Sequence, residues 1–187
     1  IPVDQLTAHV AHPGKIILVG PKYHVEYVGD GVHLTNRGYQ HLGEDYAKVY
    51  RRVVLEGRRW EPLRPLLVSR TGAQIVVKLA VPAPPLVLDD QLVTDPGDKG
   101  FEFFQEGAPI PKITSVAISG PDTVTITLAA EPKGTKMRIR YAFTGVPGAN
   151  AGATTGPRGN LRDSDATLSR AGYPLHNWCV HFDEAVP

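Results

Sequence analysis

The sequence predicts an α/β segment followed by an all-β sandwich, and three observations carry that division. An apolar run without alternation, Lys15 to Gly20, precedes a helix bearing one continuous apolar stripe. Strict alternation in "TVTITL" and "MRIRYAF" marks strands with one buried face. Between them stands a Pro-rich hinge, "EPLRP", after which helical periodicity disappears. The expected units are residues 1–60 and 61–187.

In chain order, Val3 to Val10 is a short helical candidate. "KIILVG" is apolar throughout and ends at Gly20-Pro21, as a strand buried on both faces of a parallel sheet would. The next helix carries Tyr39, Leu42, Tyr46, Val49, Tyr50, Val53 and Val54 at spacings of three and four. Thr35 or Asn36 can cap its start, and Gly57 stands where it would stop. Seven β-rich runs follow: Ala73–Val81, Leu86–Leu88, Phe101–Phe104, Ile113–Ile118, Thr123–Leu128, Met137–Phe143 and Trp178–Phe182. Gly145 to Gly172, rich in Gly, Ala and Thr, reads as a long surface loop. One buried strand with its helices cannot cover both its faces or satisfy both its edges. A preceding segment or a second chain is therefore expected to complete the sheet. The lack of an initiator Met suggests one piece of a longer or cleaved polypeptide.

With 187 residues, 42% apolar and 21% charged, the composition is that of a globular protein. Twenty basic against 19 acidic residues offer no electrostatic case for nucleic acid or an anionic membrane. Arg51-Arg52 and Arg58-Arg59 sit where they complement a helix C-terminus. A single cysteine, Cys179, excludes an intrachain disulfide and leaves the compartment open, with an extracytoplasmic or cell-surface setting favoured. No run reaches the ~18 apolar residues of a membrane span.

Asp30 and His33, in "DGVH", are the candidate catalytic residues. A histidine acting as general base needs a carboxylate to orient its far nitrogen and stabilise its cation. Gly31 frees the backbone to turn between them. The same spacing also suits an Asx-turn with no chemistry.

"VGPKYHVEYVGDGVHLTNRGYQHLGEDYAKVY" resembles the C-terminal block of the SGNH (GDSL-type) hydrolases, through Asp30, His33, Leu34, Thr35, Gly38 and Tyr39. "LAVPAPPLVLDD", "GFEFFQEG", "SVAISGPDTVTITL", "IRYAF" and "GNLRDSD" more loosely resemble the β-sandwich region of sialate O-acetylesterase-like carbohydrate esterases. The resemblance implies the last strand and helix of a three-layer hydrolase fold with an appended sandwich. It further implies an acylated carbohydrate as substrate, with His33 as base and Asp30 as its orienter, and no metal or organic cofactor. The serine and oxyanion donors of that family precede the matching block, so the chain alone is expected to be inactive.

Ser164, in "LRDSD", lacks the strand-turn-helix context of a nucleophile and reads, with Asp163 and Asp165, as a turn cluster. Ser69, Ser115, Ser119 and Ser169 have no better setting. His176, Cys179 and His181 supply too few ligands on one face for zinc, and core packing is the simpler reading. No metal ligands are expected. His24 and His41 read as ordinary half-buried histidines. Tyr23 and Tyr27 are candidate sugar-binding residues, and Trp60 could join them or pack between the two halves. The rival reading is a non-catalytic carbohydrate-binding or structural assembly fragment.

Overall fold

The structure, a computed structural model, describes residues 1–145 and 149–187. Two helices come first: α1 (Pro2–Ala11) and α2 (Asn36–Tyr50), the latter extended by a π-helical turn, Arg51–Leu55. Among the described residues nine strands follow: β1 (Arg64–Thr71), β2 (Gln74–Ala80), β3 (Val87–Leu88), β4 (Phe101–Glu106), β5 (Ile113–Gly120), β6 (Thr123–Leu128), β7 (Thr135–Tyr141), β8 (Leu161–Arg162) and β9 (Phe182–Ala185). They form a four-stranded sheet ordered β1-β2-β6-β5, a three-stranded sheet ordered β4-β7-β9, and the short pair β3-β8. All these pairings are antiparallel.

Alternation decides which face is buried. Ile75, Val77 and Leu79 of β2 and Val124, Ile126 and Leu128 of β6 turn inward. Phe101 and Phe103 of β4, Ile139 and Tyr141 of β7 and Phe182 of β9 join them in one core. Two-residue connections close the β1–β2 and β5–β6 hairpins, where Thr71 faces Gln74 and Gly120 faces Thr123. Leu6 of α1 and Tyr23 belong to that core.

The expected α/β fragment is not present: the chain is mostly β, and Lys15–Gly20 forms no strand. A buried parallel strand needs a ladder partner along its edges. Among the described residues none lies beside this segment, so side chains satisfy its backbone instead. His9 Nδ1 lies 3.0 Å from the Ile16 carbonyl, and Trp60 Nε1 donates to Leu18 O at 2.9 Å. An apolar run thus reads as strand or as irregular packed chain depending on neighbours that its own residues do not specify.

The second helix starts where the sequence places it, with Thr35 Oγ1 accepting from Gly38 N at 3.0 Å. Its packed face is not the tyrosine stripe. Of the expected stripe Val49 is buried, but Tyr39, Tyr46 and Tyr50 are more than half exposed, and Gly38 and Asp45 are buried in their place. Gly38 sets this orientation: a Cβ there would stand 2.1 Å from the Glu26 carbonyl oxygen. Strand β1 lies in and beyond the expected hinge. The short β8 interrupts the expected loop Gly145–Gly172, within which 146–148 lie outside the described residues.

Candidate functional site

The Asp30–His33 turn is built by local hydrogen bonding. Val28 N donates to His33 O, Gly31 N to Val28 O, and Thr35 N to Glu26 O, closing a loop across the Tyr27–Leu34 bridge. Asp30 Oδ1 accepts from the amides of Val32 (2.9 Å) and His33 (3.0 Å). That is the Asx-turn the spacing allows. Its second oxygen does something an Asx-turn does not require: Oδ2 lies 2.6 Å from His33 Nδ1. The His33 hydrogen bond, then the two amides, hold the Asp30 carboxyl down at about 2. An ionised Asp30 favours the His33 tautomer that carries a proton on Nδ1. Gly31, at φ +68°, is pressed by Asn150, whose Nδ2 donates to Gly29 O at 2.7 Å. Sequence-distant chain thus braces the turn from behind.

His33 is exposed, and among the described residues no hydroxyl or thiol hydrogen-bonds to it. Ser164 Oγ donates to Pro85 O and is engaged elsewhere. Cys179 is fully buried, and burial raises its thiol well above its usual range. Tyr23 is closed to a sugar: it is 3% exposed, donates to Cys179 O at 2.6 Å and stacks on His181. Tyr27 is half-buried at the base of the dyad turn and pairs with Leu34. Trp60 is buried, its indole N–H on Leu18 O and its ring under Arg52. His176 and His181 do not converge with Cys179 on one point: His176 Nδ1 meets Asp165 O, while burial lowers His181 to about 4 beside Tyr23.

Two groupings bring together residues that the sequence did not link. On the packed face of α2, Lys48 Nζ donates to Asp165 Oδ2 (3.1 Å), Asn177 Oδ1 (2.7 Å) and Leu175 O. Beside it the fully buried Asp163 accepts from Ala83 N, Asn177 N and Asn177 Nδ2. Trp60, Lys48, Asp165 and Asn177 line a groove of about 600 Å³.

One turn earlier on the same helix, Asp45 meets His24 (Nε2 to Oδ2, 3.2 Å) and His41 (3.9 Å). Burial and the neighbouring His24 lower His41 to about 4. The i,i+4 spacing of His41 and Asp45 was visible in sequence. What brings His24 onto them was not.

No family model matches the sequence, and no curated protein does. Two solved structures match. The N-terminal part of the bacterial S-layer protein SbsC is 14% identical, with a TM-score of 0.40 over 83% of this chain and 29% of that one. The S-layer protein rSbsC(31-844) is 15% identical, with a TM-score of 0.39 over 82% of this chain and 17% of that one. The chain thus spans under a third of either, and likeness of that size assigns it nothing. The resemblance to the SGNH hydrolases finds no support in these comparisons, and the mostly β, antiparallel architecture overturns it.

Proposed function

We propose that Asp30 and His33 are the orienter and general base of an ester-cleaving site acting on an acylated carbohydrate. The nucleophilic hydroxyl comes from outside residues 1–187. The 2.6 Å contact between Nδ1 and an ionised carboxylate, on an exposed His33, carries this reading. In the reaction, Nε2 takes the hydroxyl proton as the oxygen attacks the acyl carbonyl. It then returns that proton to the departing sugar oxygen. Water, deprotonated by the same nitrogen, then attacks the acyl carbonyl; the bond to the nucleophile oxygen breaks, that oxygen regains the proton, and the acid leaves. The test is acetate release from p-nitrophenyl acetate and acetylated sugars by the native protein, against its His33→Ala variant. A fall of roughly 10⁶-fold, the cost of removing a triad histidine, is expected, and equal rates refute the proposal.

A second reading, a non-catalytic carbohydrate-binding or assembly module, is favoured by one observation: among the described residues, the groove of about 600 Å³ is lined by Trp60, Lys48, Asp165 and Asn177 and not by the dyad. There the groove of Trp60, Lys48, Asp165 and Asn177 would take the sugar. Saturable glycan binding by the chain, unchanged in His33→Ala but lost in Lys48→Met, supports it. Absence of binding removes it.

A further inference from the structure

Three potential ligands from two distant stretches converge where α2 meets the segment before it. His24 precedes the dyad turn, and His41 and Asp45 stand one helical turn apart on the packed face of α2. One ligand atom from each lies within 4.8 Å of the other two. The side chains are only 5%, 18% and 10% exposed, respectively. Two atoms each bonded to zinc at about 2.1 Å stand about 3.4 Å apart at the tetrahedral angle. The separations from Asp45 Oδ2, 3.2 Å to His24 and 3.9 Å to His41, bracket that figure.

Hydrogen bonding satisfies the cluster only in part. His24 Nε2 reaches Asp45 at 3.2 Å, but at 3.9 Å the His41 contact is no hydrogen bond, and among the described residues the buried His41 Nε2 has no partner. An unpaired buried nitrogen is costly and rare. Here it faces a cluster whose donor set, two imidazoles and a carboxylate, is one that zinc accepts. The rings are held in place: His24 stacks on Trp178 at 5.8 Å, and His41 packs on Tyr173 at 4.4 Å. Beside them opens a cavity of about 210 Å³, lined by Glu26, Arg37, Tyr173 and Trp178, with room for a water as fourth ligand. Arg37 in that lining lies over the Tyr173 ring at 5.5 Å.

We propose that His24, His41 and Asp45 form a binding site for a divalent transition-metal cation, zinc foremost, that ties α2 to the chain around His24. The proposal is independent of the Asp30–His33 reading, since the site shares no residue with that dyad.

The experiment uses the 187-residue chain and the metal alone. Calorimetric titration with Zn²⁺ is expected to show one equivalent bound, and Co²⁺ a four-coordinate visible spectrum. Asp45→Asn and His41→Ala are each expected to weaken Zn²⁺ binding by roughly 100-fold or more, beyond the ~10–100-fold typical of outer-shell changes. The exposed His12→Ala is expected to leave it unchanged. No binding by the wild type overturns the site, as does binding that survives both substitutions. Should a variant not fold, histidine ¹⁵N shifts of the wild type decide. Shifts of His24 and His41 on adding one equivalent of Zn²⁺ support the site, and shifts confined to other histidines overturn it.

Discussion

Replacing Lys48 by Met tests whether α2 is anchored to the β-rich part through one partly buried ammonium. Nζ makes three hydrogen bonds, to Asp165, Asn177 and the Leu175 carbonyl, on a side chain 15% exposed. At 3.1 Å and an effective dielectric of 20, the Lys48–Asp165 attraction is about 5 kcal/mol before desolvation is subtracted. Breaking a buried pair typically costs about 3–5 kcal/mol. Asp165 keeps Thr167 N, Thr167 Oγ1 and Asn177 Nδ2 as donors, which lowers the expected loss to about 2–3 kcal/mol. For a chain of this length that is a fall in Tm of roughly 5–10 °C. Urea unfolding followed by the fluorescence of Trp60 and Trp178 measures it. Lys136→Met, at a pair whose lysine is 73% exposed, is the control and should change stability by less than about 0.5 kcal/mol. A Lys48→Met loss no larger than that control refutes the anchoring argument.

The same node sets a pH dependence. Burial pulls Asp165 up, but the Thr167 bonds and Lys48 outweigh it and bring the carboxyl to about 2. A depressed carboxylate stabilises the fold above its unfolded value and loses that contribution as pH falls toward 2. About 1–2 kcal/mol should therefore disappear between pH 4 and 2, after discounting for solvent screening, and Asp165→Asn should flatten that slope. Gly38→Ala should unseat α2, because the new Cβ meets backbone at Glu26; circular dichroism and urea titration should show a loss of at least about 2 kcal/mol. Asp30→Asn should abolish the downfield Nδ1 proton resonance of His33, and its persistence would mean that the 2.6 Å bond is not what orients the ring. Cys179, fully buried, should react with a thiol reagent only after unfolding.

Local features proved legible. The Thr35 cap and the alternation of β6 and β7 each depend on residues a few positions apart. The Asp30–His33 contact belongs with them, since three residues on one turn suffice to form it. Lys15–Gly20 was read as a buried strand because an apolar run signals burial without naming its neighbours. The tyrosine stripe of α2 failed for a related reason. Periodicity finds an apolar face, but the close approach at Gly38 chose the face that carries His41, Asp45 and Lys48.

By itself, then, the sequence determined the caps, the turns, the alternating strands and the dyad. All are short-range matters of backbone geometry and side-chain period. Tertiary structure alone decided that His24 meets His41 and Asp45, and that Lys48 meets Asp165 across 117 positions. It alone closed Tyr23 to solvent. Such contacts depend on which surfaces the folded chain presses together, and no local pattern of residues encodes that choice.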